Sequence, residues 1–251
     1  MSSDSIQDFI AEKQARLDQM REEQEQLRAE AIRIAGPRPA DRPCEECGVT
    51  LEPVLLDDRW HVGDVCAACV RERERRELHR SRLHLGALEE RMTFDAFAPS
   101  TTSQRLALEV VRAGGSAWLH GRPGCGKTHL VTAAALSAVG VHVERWAALE
   151  LMAALRTEAR SSEHSEPTMR AVCECELLVL DDLDAPRNTD FTLEQWHRIA
   201  DARYRGHLRT LITSNLDPRE TAARIGARVH SRLVGLCAVV HVEGPDGRRI
   251  R

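Results

Sequence analysis

Gly121-Arg122-Pro123-Gly124-Cys125-Gly126-Lys127-Thr128 follows Ala117-Trp118-Leu119-His120 and precedes a long apolar helical pattern. Strand, glycine-rich turn and helix in that order read as a phosphate-binding loop. The glycines let the backbone turn tightly and point its N–H groups inward, and a helix starting near Gly126 adds its positive end. Lys127 can reach the β- and γ-phosphates of a nucleotide as a point charge, and the Thr128 hydroxyl can ligate Mg²⁺. Gly121, Pro123, Gly124, Cys125, Gly126, Lys127 and Thr128 are therefore the candidate nucleotide-binding residues. A turn that matches the eight-residue pattern by accident is the alternative, and the flanking strand and helix weigh against it.

The rest of the C-terminal half supplies partners for that loop. Met92 to Phe97 leads into an expected helix, about Ser103 to Ala113, before the first strand. Val141 to Trp146 reads as a second strand with a helix running to about Arg160, and Leu177-Leu178-Val179-Leu180-Asp181-Asp182 as an apolar strand ending in two carboxylates. Asp181 is expected to support the metal through its water shell, and Asp182 to polarise an attacking water. A helix N-cap is the alternative for such a pair alone, but the loop upstream favours chemistry. Thr210 to Ser214 is a fourth strand ending in Asn215, which can reach the γ-phosphate or the water; a satisfied turn asparagine is the other reading. Helices from Pro218 to Arg224 and from Ala227, then a strand from Cys237 to Val242, complete the pattern, and no helical lid is expected after it. The β/α alternation implies an α/β domain with a parallel sheet.

The N-terminal half has a different composition. Residues 4–34 predict one long helix closed by Gly36-Pro37, with Ile6, Ile10, Lys13, Leu17, Met20, Gln24, Leu27, Ala31 and Ile34 at steps of four and three. Such a narrow seam wants a partner helix; folding back on its own domain is the alternative. Cys44-Glu45-Glu46-Cys47 and Cys66-Ala67-Ala68-Cys69 are separated by eighteen residues, the spacing of a four-thiolate zinc site. Between them, Val49 to Leu56 and Arg59 to Val62 could form the hairpin of a zinc ribbon turned at Asp57-Asp58. So small a unit needs the metal to fold, so a bound Zn²⁺ is structural. A pair of redox dithiols and a site in which His61 displaces a cysteine are the rivals. Val70 to Leu88 reads as a charged, solvated linker helix. The expected organisation is a partner-binding helix over 1–36, a zinc module over 37–72, a helical linker over 73–91 and the nucleotide domain over 92–251.

Bulk properties narrow the class. The 251 residues suffice for one large domain plus a smaller appendage, and the net charge of −4 excludes a chain that is basic overall, so contact with nucleic acid has to come from a local patch or an assembled ring. Neither a targeting segment nor a membrane span is visible, so a cytoplasmic protein that makes no membrane contact is expected.

The order Gly-Arg-Pro-Gly-Cys-Gly-Lys-Thr, Leu-Val-Leu-Asp-Asp-Leu, Thr-Ser-Asn-Leu-Asp and Ser-Arg-Leu, led in by Thr93-Phe94-Asp95, resembles the AAA+ ATPases of the DnaC/DnaI helicase-loader and IstB transposition-helper group over roughly residues 92–251. Ala202-Arg203-Tyr204 before the asparagine strand narrows the likeness. By that resemblance Lys127 and Thr128 are the Walker A contacts, Asp181 and Asp182 the Walker B pair, Asn215 sensor 1, and Arg232 an arginine finger supplied to the next subunit's ATP, with a surface helix cation as the other reading of Arg232. Asp182 departs from the glutamate of many AAA+ members, which implies slow, partner-stimulated hydrolysis. A tetra-cysteine module ahead of the ATPase resembles the DnaI-type loaders. The resemblance therefore implies ATP, Mg²⁺ and Zn²⁺ as cofactors, a replicative DNA helicase and single-stranded DNA as partners, and ATP-dependent self-association; Arg156 and Arg160 would face the DNA. A transposition helper, or an ATP-switched adaptor for another machine, are the alternatives.

Overall fold

The computed structural model describes residues 19–247 apart from 20, 21, 24, 28, 57, 58, 84 and 162–164. Most of the seam expected over 4–34 and the Asp57-Asp58 turn lie outside the described residues. Two compact units divide the chain, Met1–Glu74 and Arg75–Arg251.

In the first unit, residues 29–35 are helical and Gly36 ends the helix at φ 77. Just before and between the two cysteine pairs the described residues form two short antiparallel pairs, β1 (Arg42–Pro43) with β2 (Thr50–Leu51) and β3 (Val54–Leu56) with β4 (Arg59–His61). Val49, Val54 and Leu56 are exposed, whereas Cys44 is buried. This unit therefore has no apolar core of its own among the described residues. Helix α1 (Ala67–Arg82) begins within the cysteine cluster.

The second unit takes the end of α1. His79 is buried with Nε2 2.7 Å from the Ala135 carbonyl, and Leu83 joins the apolar core. The stretch expected to be a solvated linker is thus held at its C-terminal end, where His79 and Leu83 are buried, while Leu78 stays exposed.

The core is a five-stranded parallel sheet in the order β6 (Val143–Ala147), β7 (Leu177–Asp181), β8 (Arg209–Ser214), β5 (Ala117–His120), β9 (Ala238–His241). Covered on both faces, its strands read as continuous apolar runs, and the pleat sorts them: Trp118, Leu178, Leu180 and Ile212 enter one cluster, Ala117, Leu119, Leu177, Val179 and Leu211 the other. Helices α2 (Thr102–Arg112) and α3 (Lys127–Ser137) cover the second face. The first carries α4 (Ala148–Glu158), α5 (Pro167–Glu174), α6 (Asp190–Arg205), α7 (Pro218–Ile225) and α8 (Ala227–Leu236).

Helices α5 and α6 had not been expected. Proline at the first turn starts α5, and a Thr189–Thr192 capping box starts α6. The buried stripe of α6 runs through Thr192, Gln195, Trp196, Ile199, Ala200 and Arg203, half of it polar. Arg203, from the Ala-Arg-Tyr motif, is wholly enclosed. Its Nε donates to Thr210 Oγ1 (3.1 Å), Nη1 to the Cys175 carbonyl (2.5 Å) and Nη2 to the Arg209 carbonyl, which ties α6 to the entrances of β7 and β8. Arg203→Met keeps much of the volume but leaves these acceptors without a donor. We expect a loss of about 2–4 kcal/mol in urea unfolding; an unchanged midpoint would contradict the role assigned to the guanidinium.

Candidate functional site

The loop from β5 into α3 crosses the carboxyl edge of the sheet. Gly126 sits at φ 97 against Phe97, where a Cβ would lie 2.6 Å from the ring, so only glycine opens the helix here. Gly124, at φ 84, is approached by the segment after β9. A Cβ there would meet the Asp246 carboxylate, and the Gly247 N–H donates to the Gly124 carbonyl (3.1 Å). Gln104, buried at the start of α2, fastens the loop from the other side through Nε2 to the Cys125 carbonyl (3.0 Å). Phe97, Gln104 and Asp246 carry no motif, and sequence reading missed them.

Lys127 is 5% exposed. Its ammonium donates to the carbonyls of Gly121 (2.7 Å) and Arg122 (3.0 Å) and to Asn215 Oδ1 (3.1 Å), which uses its three donors. The structure thus brings Lys127 and Asn215 together although 88 positions separate them. Asn215 also donates from Nδ2 to Asp182 Oδ1 (3.2 Å), and its N–H is held by Asp184 Oδ1 (3.0 Å).

Thr128 Oγ1 donates to Asp181 Oδ1 (3.0 Å), and Thr213 Oγ1 donates to the same oxygen (2.5 Å). A hydroxyl beside a carboxylate is an oxygen donor set that suits a hard divalent cation, so the residues present fit Mg²⁺. Asp182 turns out of β7 at φ 54, with its N–H on Thr213 Oγ1 (2.9 Å). Burial chiefly, then the charges of Asp181 and Asp184, raises its pKa above the usual carboxylate value. A more basic carboxylate is better able to take a proton from water. Thr213 and Asp184 were not among the expected residues; the signal was present in Thr213-Ser214-Asn215, where Thr213 faces Asp181 across one strand spacing.

His120 precedes the loop and stacks on His241 with ring centroids 4.9 Å apart. Burial, then the neighbouring His241, lowers the His120 pKa. Arg232, on α8, is paired with Asp201 of α6. Arg156 lies over the Phe191 ring, 5.2 Å from its centroid.

In the first unit the sulfur atoms of Cys44, Cys47, Cys66 and Cys69 all lie within 4.8 Å of one another. Cys44 to Cys69 is 3.9 Å and Cys47 to Cys66 is 3.7 Å. A tetrahedron with Zn–S of about 2.3 Å has edges of about 3.8 Å, so the four sulfurs fit zinc. The Cys66 N–H donates to Cys44 Sγ (3.3 Å), and this bond, the largest cause, brings the Cys44 thiol down to about 6, toward the thiolate a metal needs. His61 is not part of the cluster.

The strand order, with the loop after β5, the acids at the end of β7 and the asparagine after the intervening β8, is that of the AAA+ P-loop fold. The chain belongs to the family of IstB-like ATP binding proteins, whose pattern matches residues 59–250. It is 34% identical over 123 residues to the uncharacterized protein YqaM of Bacillus subtilis (strain 168), covering 45% of this chain and 38% of that one. It is 31% identical over 128 residues to the phage-like element PBSX protein XkdC of the same organism, covering 48% and 47%. The matches thus span less than half the length of these curated relatives. Among solved structures, the DnaC helicase loader superposes with a TM-score of 0.58 at 24% identity over 63% of this chain and 100% of that one, and DnaI with 0.56 at 21% over 66% and 95%. At these identities the likeness shows the fold. No helix among the described residues is long and apolar enough to cross a membrane.

Lys127→Ala should abolish ATP binding in calorimetry while the protein stays folded; wild-type affinity would remove the loop from the site. Purified protein should carry one zinc per chain, and chelation should unfold residues 42–69 by hydrogen exchange while ATP binding is retained. Unchanged exchange after complete metal removal would rule out a structural metal.

Proposed function

We propose that this protein is an ATP-dependent loader of a hexameric replicative DNA helicase onto single-stranded DNA, with slow ATP hydrolysis serving as an assembly switch. The observation that carries the reading is the pairing in one chain of this nucleotide site with a four-cysteine module. In this reading residues 1–36 bind the partner, 37–72 are the zinc module that docks on the helicase, 73–91 connect the two parts and 92–251 are the ATPase. A DnaC helicase loader and a DnaI among the structures of like fold support it.

The roles follow from the contacts. Lys127 exchanges its carbonyl acceptors for β- and γ-phosphate oxygens, and the loop N–H groups hold the rest of the triphosphate. Thr128 and Asp181 are the residues that would hold Mg²⁺, which when bound spreads the negative charge on the β- and γ-phosphates. Asp182 polarises the attacking water, and Asn215 positions it. Arg232 reaches the nucleotide of the next subunit, so ATP favours an assembled form and hydrolysis releases it. Arg156, exposed on α4 and held over the Phe191 ring, offers a cation of the kind a nucleic-acid backbone uses, which supports contact near α4. The protein is read as cytoplasmic.

The family match favours a second reading, a transposition helper ATPase. Sizing chromatography of the full chain with its host's replicative helicase, with and without ATP, separates the two. Co-elution lost on Cys44→Ser, Cys47→Ser substitution is expected. No co-elution in either nucleotide state, together with capture by a transposase, would give the second reading the field. Arg232→Ala should bind ATP and fail to hydrolyse it.

A further inference from the structure

Arg232 sits midway along α8, and α6 presents two side chains to it from successive turns, His197 and Asp201. Arg232 Nη1 lies 3.4 Å from His197 Nε2, and Nη2 is ion-paired with Asp201 Oδ1. The other carboxylate oxygen, Oδ2, is ion-paired with Arg205. Arg232 and Asp201 are largely enclosed, at 18% and 16% exposure, whereas Arg205 is 74% exposed.

We infer that Asp201 is a positioning residue for Arg232, fixing the guanidinium before a second copy of the chain arrives. The inference rests on the reading of Arg232 as the cation supplied in trans. An arginine free to sample its rotamers loses that freedom when it engages a phosphate; one already held by Asp201 has lost it during folding. A guanidinium has five N–H donors, and the contacts to Asp201 and His197 leave others available. The carboxylate does not cancel the cation. One negative charge lies between two guanidiniums, so Arg205, Asp201 and Arg232 together carry a net positive charge toward an incoming triphosphate.

A carboxylate that merely pinned α6 to α8 would give the same contacts, and the test separates the two. ATP binding, thermal melting, ATP-dependent self-association and steady-state turnover are measured on the full chain for wild type, Asp201→Asn, Asp201→Glu, Arg232→Ala and the Asp201→Asn, Arg232→Ala double variant. Asp201→Asn keeps the shape and one acceptor but loses the charge. The expected result is wild-type ATP affinity and melting, turnover at saturating ATP down by about tenfold, and weaker ATP-dependent self-association. Asp201→Glu should recover part of the loss, and in the Arg232→Ala background, where turnover is already lost, Asp201→Asn should weaken ATP-dependent self-association no further. Wild-type turnover and self-association in Asp201→Asn, or losses that multiply with those of Arg232→Ala, would overturn the proposal. Full turnover and self-association in Arg232→Ala alone would instead overturn the trans-acting role of Arg232, and the positioning role with it.

Discussion

The register of β8 between β5 and β7 is the constraint from which the nucleotide site follows. With His120 opposite Ser214 and Leu180 opposite Ile212, the three strands bring Gly121, Asn215 and Asp182 to one edge of the sheet. Adjacent hydroxyls on β8 point to opposite faces. Thr213 reaches Asp181 and the Asp182 N–H, while Ser214 accepts from Trp118 Nε1 (3.1 Å) and donates to the Leu216 carbonyl (2.6 Å). A slip of one residue would exchange those faces, setting Thr213 against the buried indole and removing the hydroxyl from Asp181. Leu211 and Ile212 face opposite sides and would tolerate either register, so it is the polar end of the strand that specifies the pairing.

Charge accumulates at that edge. Asp181, Asp182 and Asp184 crowd one end of the sheet with Lys127 as the nearby cation, and the upward shift of Asp182 reflects its burial first and then the charges of Asp181 and Asp184. The fold meets this with hydrogen bonds, to Asp181 from Thr128 and Thr213 and to Asp184 from the Asn215 N–H. A site that concentrates acids in this way is suited to polyvalent cations and phosphates together, since each relieves what the other would worsen.

Elements with strong periodicity or a motif could be read from the sequence, and those whose buried face is polar could not. The strands of the parallel sheet are apolar on both faces, so Leu177 to Leu180 stands out at once. Helix α6 buries Gln195, Thr192 and Arg203 as well as Trp196 and Ile199, so its stripe does not separate from its solvent face by hydropathy. Helix α1 failed in the opposite way, its many charges concealing His79 and Leu83. At the site, the glycine-rich loop, the paired acids and the asparagine carry a fixed spacing and stood out as candidates. Asp184, Thr213, Gln104 and Asp201 act through tertiary contacts with residues far along the chain, and no local spacing encodes such contacts.

The same contacts bear on how a nucleotide could be felt beyond its pocket. Lys127 spends one donor on Asn215 Oδ1, and Asn215 in turn engages Asp182 and Asp184. The carbonyl of Asp184 accepts from Arg224 of α7 (2.9 Å), and α7 leads through Gly226 directly into α8, which bears Arg232. Drawing the ammonium onto a phosphate breaks its bond to Asn215 and frees that amide to turn. The exchange is nearly even in hydrogen bonds, because one acceptor replaces another, so its net energy comes from charge rather than from bond count. A change so small in cost is readily reversed, and it lies in a continuous run of contacts that ends on α8, the helix that carries Arg232.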